Sequence, residues 1–240
     1  MKYRPGPAKH RWEYVVQDLD GFMADMNEIS KMAVERGASW AELIETSKVV
    51  TDNRVTLKCR IPPCEAYGRN LMCPPYSPTA EQTREILSWY KYGIILAVEM
   101  RNLPDEFWNL IQRENATMAK LFLDPTFVKY EMITEIAIVR KLHELVNFIE
   151  AEAHNRGYFY AVGFSAYSCT LCLDRYKDRV DQEGPWATCD VTKPCMRPYE
   201  ARPSMEACGI DVYATYRNIG KELPMASKDF LSATGLVLIV

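Results

Sequence analysis

Apolar residues return at helical spacing soon after the start of the chain. From Arg11 to Arg36 they include Trp12, Leu19, Phe22, Met26 and Ile29, and Gly37 supplies a stop, so one or two amphipathic helices are expected. Ala41–Val50 and Arg54–Cys59 carry β-branched and alternating apolar positions, which predicts two strands joined by a turn at Asp52-Asn53, the second delivering Cys59 at its end. Thr79–Tyr90 reads as a helix and Gly93–Met100 as a buried strand, the beginning of an α/β-like arrangement. The stretch 104–156 is rich in helix formers, with Ile136, Val139, Leu142, Leu145, Val146 and Ile149 in register and Gly157 at the end. Tyr158–Phe164 then predicts a strand running toward Cys169, and Asp174–Tyr199 a loop. A short helix within Met205–Ile219 and a final strand over Leu236–Val240, joining the central sheet, complete the pattern. The fold class expected is α+β with α/β-like character: a mixed β-sheet, flanking helices and two cysteine-rich metal-binding loops. Residues 1–38 form an N-terminal helical segment and 39–240 the cysteine-rich domain.

Composition changes the picture mainly by exclusion. At 240 residues with 48% hydrophobic and 25% charged positions, the chain can bury a core without help from a metal. A net charge of -3 lacks the basic excess of a nucleic-acid binder. The start, Met1-Lys2-Tyr3-Arg4-Pro5-Gly6-Pro7, has no apolar stretch resembling a signal peptide, and no segment reaches membrane-spanning length. A cytoplasmic protein without membrane or nucleic-acid partners is therefore expected. In a reducing compartment, eight cysteines in groups read as metal ligands rather than disulfides.

The first group is Cys59-x4-Cys64-x8-Cys73 followed by Pro74-Pro75, with Gly68 and Asn70 inside the longer gap. Three thiolates on a short, turn-rich loop can converge on one centre, where exposed amides hydrogen-bond to sulfur. A fourth ligand is missing from this group. The second begins as Cys169-x2-Cys172, a metal knuckle, and continues with Cys189, Cys195 and Cys208. The bacterial ferredoxin loop C-x2-C-x2-C would need a third cysteine where Arg175 stands. Cys169, Cys172, Cys189 and Cys195 are the economical set, with Cys208 a spare that spacing alone leaves open to either site.

Zinc and iron-sulfur clusters both accept four thiolates. The three histidines, His10, His143 and His154, show no metal-ligand spacing, and His143 and His154 read as structural residues of the long helix. Buried free cysteines would be the plain alternative, but the clustering in proline-containing loops argues against it. Arg175, Arg179, Arg197 and Arg202 read either as a setting for an anionic cluster or acidic partner, or as an exposed charged loop. Tyr67, Tyr76, Tyr167 and Tyr199 either shield a cluster or simply pack beside the loops. No P-loop, dinucleotide fingerprint or nucleophile elbow is present.

Two stretches carry a resemblance: Cys59-x4-Cys64-x2-Tyr67-Gly68-x-Asn70-x2-Cys73-Pro74-Pro75, and Cys169-x2-Cys172 with Cys195-x2-Pro198-x3-Arg202-Pro203-Ser204-Met205-Glu206-Ala207-x-Gly209-Ile210-Asp211. Together, in this order and over about residues 40 to 240, they resemble a cysteine-rich family of predicted metal-binding proteins of anaerobic bacteria and archaea, domain of unknown function 2284. The resemblance implies metal binding and no particular reaction.

Two cysteine groups without other catalytic apparatus point first to a protein with two [4Fe-4S] clusters that exchanges single electrons with a redox partner protein or a corrinoid- or methyltransferase-type enzyme of anaerobic one-carbon metabolism. A second expectation is a catalytic cluster held by Cys59, Cys64 and Cys73 with one open iron. The third is a zinc-pinned binding module.

Overall fold

The computed structural model describes residues 3–4, 15–16, 18–101, 105, 109, 125–173, 175, 189–224 and 230–240. Two short strands, β1 (Tyr3–Arg4) and β2 (Val15–Val16), pair antiparallel. Val15 and Val16 thus belong to a strand rather than to the helix expected from residue 11. That helix, α1 (Leu19–Glu35), starts later because the Asp18 carboxylate accepts from the Gly21 amide and caps it.

The main sheet has four strands in the order β3-β4-β6-β5: β3 (Trp40–Glu45), β4 (Tyr92–Met100), β6 (Leu231–Leu238) and β5 (Val162–Phe164). Every neighbouring pair is antiparallel. The α+β class therefore holds, while the sheet is antiparallel rather than mixed. An alternation of helices and strands suggested parallel crossovers, but β4 and the C-terminal strand β6 run side by side in opposite senses, from Gly93 opposite Leu238 to Met100 opposite Leu231.

Both faces of this sheet are covered. Ile94, Leu96 and Val98 of β4 and Val237 of β6 meet α1 residues Phe22, Met26 and Ile29 and the helix α4 (Pro125–Asn155) through Leu142, Val146 and Ile149. Ile95, Leu236 and Leu238 face the other way, onto Leu87, Met205, Ile210 and Tyr216. The side-chain period of two sends alternate residues to two different cores. This explains why β4 reads as an unbroken apolar run. Gly163 allows α4 to lie close to β5: a Cβ there would come within 2.2 Å of Val146 Cγ1. The part of the long helical expectation between 110 and 124, and most of the loop expected over 174–188, lie outside the described residues.

Two further expectations are corrected. The strand over Arg54–Cys59 is instead a coiled turn ending in α2 (Leu57–Arg60). The Asp52 carboxylate accepts the Arg54 amide at 2.8 Å, and successive bonds from Val55 to Asp52 and Leu57 to Arg54 wind the chain up. The turn chemistry placed at Asp52-Asn53 propagates into the next residues instead of reversing a strand. Similarly, only Val162–Phe164 of the stretch from Tyr158 is strand. Tyr158 completes the end of α4, its amide bonding to the Ala153 carbonyl, while its hydroxyl donates to buried Asp25 at 3.0 Å.

The second core face positions the cysteine segments. Helix α3 (Ala80–Leu87) follows the first of them and is capped by a reciprocal Thr79–Gln82 box. Helix α5 (Val212–Asn218), capped by Asp211, follows the second. The neck of the second segment is closed by paired backbone: the Ser165 amide donates to the Pro203 carbonyl at 2.8 Å and the Met205 amide to the Ser165 carbonyl at 2.9 Å. Buried His143 on α4 backs this neck. Its Nδ1 lies 2.9 Å from the Val139 carbonyl and 3.0 Å from the Ser165 hydroxyl, and its Nε2 lies 3.2 Å from the Arg202 carbonyl.

Burial outweighs these carbonyls and holds the His143 imidazole below its ordinary value. Below about pH 6.5 the unfolded chain takes up a proton that the folded chain resists, so this contribution to stability is complete above that value and is lost as pH falls. The expected outcome is a melting temperature that drops between about pH 7 and pH 5, with a smaller drop in His143→Asn. Thermal melts monitored by circular dichroism across that range check it.

Candidate metal centre

All eight cysteines are free thiols among the described residues, and seven of them stand in two neighbouring groups, the Cys73 thiol of the first feeling the charge of Cys169 and Cys189 of the second. Cys59 sits in α2, with Cys64 within hydrogen-bonding reach of its sulfur. Cys73 lies deeper, buried, on a chain of tight turns in which the Gly68 amide donates to the Pro74 carbonyl and the Cys73 amide to the Asn70 carbonyl. Gly68, at φ 68°, supplies the left-handed turn that this reversal needs.

In the second loop, Cys169, Cys172, Cys189 and Cys195 line one hollow, and Leu71 and Met72 of the first loop close it on one side. Tyr167, at φ 55°, swings the chain into this hollow just before Cys169. The Leu171 amide donates to the Cys169 sulfur, the amide-to-sulfur bond expected of a metal knuckle. Arg197, held at 3.0 Å by Glu200, brings its guanidinium within hydrogen-bonding reach of Cys172.

The loops are joined by Asn70. This residue is fully buried, donates from Nδ2 to the Cys169 carbonyl at 2.9 Å and accepts the Met72 amide on Oδ1 at 2.9 Å. One side chain thus ties Met72, next to the third cysteine of the first group, to the first cysteine of the second. The consequence shows at Cys73, whose thiol is acted on by Cys64 and Cys59 from its own loop and by Cys169 and Cys189 from the other.

Burial is the main cause that pushes the Cys73 thiol far above its ordinary value, with the neighbouring cysteines adding to it. Burial also raises Cys169, to about 12, against the pull of the Leu171 amide. Cys172 is raised by burial, while Arg197 and Arg175 draw it back. Several thiolates at such close quarters repel one another unless a cation stands among them, and a cation displaces the protons that burial otherwise retains. The donor chemistry therefore fits a metal centre. Among the described residues, no three His, Cys, Asp or Glu side chains are gathered tightly enough to grip a single ion.

The sequence-predicted residues sort as follows. Cys59, Cys64 and Cys73 share one loop, and Cys169, Cys172, Cys189 and Cys195 share one hollow. Cys208 is fully buried in the core with Met205, Ile210 and Leu236. Arg202 faces away from the cysteines and pairs with Glu150 of α4, its Nε at 2.7 Å from the carboxylate. Arg179 lies outside the described residues. Tyr76, Tyr167 and Tyr199 are exposed, Tyr199 at 89%. The role of Asn70 had only its place inside the first motif as a signal, and Ser77, whose hydroxyl donates to the Ala207 carbonyl at 2.9 Å, had none.

Asn70→Ala leaves the Cys169 carbonyl and the Met72 amide without these partners inside the protein. The expected cost is about 1–3 kcal/mol, read by denaturant unfolding, together with faster loss of metal to a chelator than from the unaltered protein. Unchanged stability and chelation would show that the loops hold their spacing without it.

No curated protein and no solved structure matches the chain. A family model described as "Predicted metal-binding protein (DUF2284)" matches residues 42–239, a span that contains both cysteine loops and the whole four-stranded sheet apart from Trp40 and Ala41 at the start of β3. The chain belongs to this family of predicted metal-binding proteins.

Proposed function

We propose that the chain carries two [4Fe-4S] clusters, one at Cys59, Cys64 and Cys73 and one at Cys169, Cys172, Cys189 and Cys195, and exchanges single electrons with a redox partner. That partner is a redox protein or a corrinoid- or methyltransferase-type enzyme of anaerobic metabolism. The observation that supports this reading is the position of Cys73, within electrostatic reach of cysteines from both loops. Two donor groups within electrostatic reach of each other suit passage of an electron between neighbouring centres.

Bound there, the clusters would supply one-electron storage at a potential set by burial and by hydrogen bonds to sulfur. The chain's own residues do the rest. Asn70 fixes the spacing of the loops, and the Leu171 amide and Arg197 guanidinium donate to Cys169 and Cys172. Leu71 and Met72 keep water from one side of the hollow. Cys64 is exposed, and so are Met196 and Tyr199; this leaves an open side where a partner can approach.

Anaerobic purification followed by iron, sulfide and zinc analysis tests the proposal. Broad absorption at about 400 nm with about eight irons per chain is the expected result. Stoichiometric zinc without sulfide would remove the electron-transfer reading and leave a zinc-pinned binding module. Cys172→Ser is expected to lose about four irons, whereas Cys208→Ser, altering a thiol inside the hydrophobic core, keeps the full complement.

A further inference from the structure

The residues between Cys59 and Cys64 form a closed turn at the surface. Helix α2 runs into it: the Ile61 amide donates to the Leu57 carbonyl at 2.9 Å, and the Cys64 amide returns to the Cys59 carbonyl at 3.0 Å. Arg60 and Pro63 face each other across a short antiparallel bridge. What this tip shows to solvent is apolar. Ile61 is 75% exposed and Leu57 46%, and Pro62, Pro63 and the Cys64 thiol are exposed with them. Apolar side chains that are exposed next to one another, rather than scattered singly, mark a contact surface.

The backbone of the tip is prepared for burial. Pro62 and Pro63 have no amide hydrogen, and the amides of Ile61 and Cys64 are already bonded within the turn. No donor from Ile61 to Cys64 therefore loses water without replacement when a partner covers it. The two prolines also fix the chain direction, which reduces the ordering that binding has to impose. The charge around the tip is mainly positive. Across Leu57–Cys73 the cations Lys58, Arg60 and Arg69 stand against Glu65 alone, in a chain whose net charge is -3. Arg54, the next cation back, is taken by Asp52, whereas Lys58 and Arg60 are exposed and make no ion pair among the described residues.

Resting on the electron-exchange reading above, we propose that this tip is the docking point for an acidic electron-carrier protein, which receives Ile61, Pro62 and Pro63 in an apolar hollow rimmed by carboxylates. Ile61 is the anchor that fills the hollow. Lys58 and Arg60 meet the rim and steer the approach. The carrier's redox centre comes to rest over exposed Cys64 rather than over buried Cys73.

Isothermal titration calorimetry of the anaerobically purified protein with a purified acidic ferredoxin of the two-cluster bacterial type, at low and at moderate salt, tests the assignment. Binding at low salt is expected. Ile61→Asp is expected to weaken it at least about tenfold, and Lys58→Glu with Arg60→Glu about tenfold with a flatter salt dependence, each at unchanged metal content. Met23→Asp adds the same charge as Ile61→Asp at an exposed position of α1, which packs on the other core, and is expected to bind as the unaltered protein does. No binding by the unaltered protein, full binding by Ile61→Asp and by the charge-reversed pair, or equal weakening by Met23→Asp overturns the proposal. So does a dimer of the unaltered protein that Ile61→Asp abolishes, which would give the tip to a second copy. Zinc without sulfide in the unaltered protein removes the electron-exchange reading by metal analysis alone. Binding needs no electron transfer, so the same comparison of variants still decides the docking surface.

Discussion

Thiols packed side by side away from water cannot ionise together without a cation among them, and the arrangement around both loops answers to that constraint. Cys73 is where it is most severe, with Cys59 and Cys64 on one side and Cys169 and Cys189 on the other. One backbone amide and an arginine bond to sulfurs of the second loop, and no competing disulfide uses up a thiol among the described residues. These are the features that a resident metal would exploit, because each lowers the cost of gathering negative charge.

The sheet makes the gathering possible. With β4 and β6 paired at its centre and both faces covered, the sheet is a rigid base from which two irregular segments can leave and return. The first departs after β3 and ends at the cap of α3, and the second departs after β5 and ends at the cap of α5. Their closures are polar and specific: the Ser165 neck, the Ser77 bond to Ala207 and the Asn70 bond to Cys169. Buried polar bonds of this kind cost little when complete and a good deal when broken, which is why loop spacing can be fixed without regular secondary structure.

Several charged residues near the cysteines in sequence serve the scaffold instead. Arg202 is taken by Glu150 on α4, and Arg156 by Asp25 and Glu28 on α1. Arg197, only five residues from Arg202, is the one of these three that reaches a cysteine. Between the two arginines the chain turns, the Glu200 and Ala201 amides both bonding to the Arg197 carbonyl.

The sequence by itself determined the helices α1, α3 and α4, the buried strand β4 and the metal-binding character of the family, because local periodicity, caps and clustered cysteines are short-range signals. It did not determine strand direction, since the pattern of β4 and β6 is equally apolar whether the pair is parallel or antiparallel. It misread Arg54–Cys59, where an Asx turn won over β propensity, a contest that no period reveals. Only the tertiary structure separated Cys208 from the other thiols: seven cysteines lie on the two loops, while the eighth occupies a core position that spacing along the chain cannot distinguish. The same holds for Asn70, whose partner Cys169 lies 99 positions away and meets it only once the sheet has brought the two loops together.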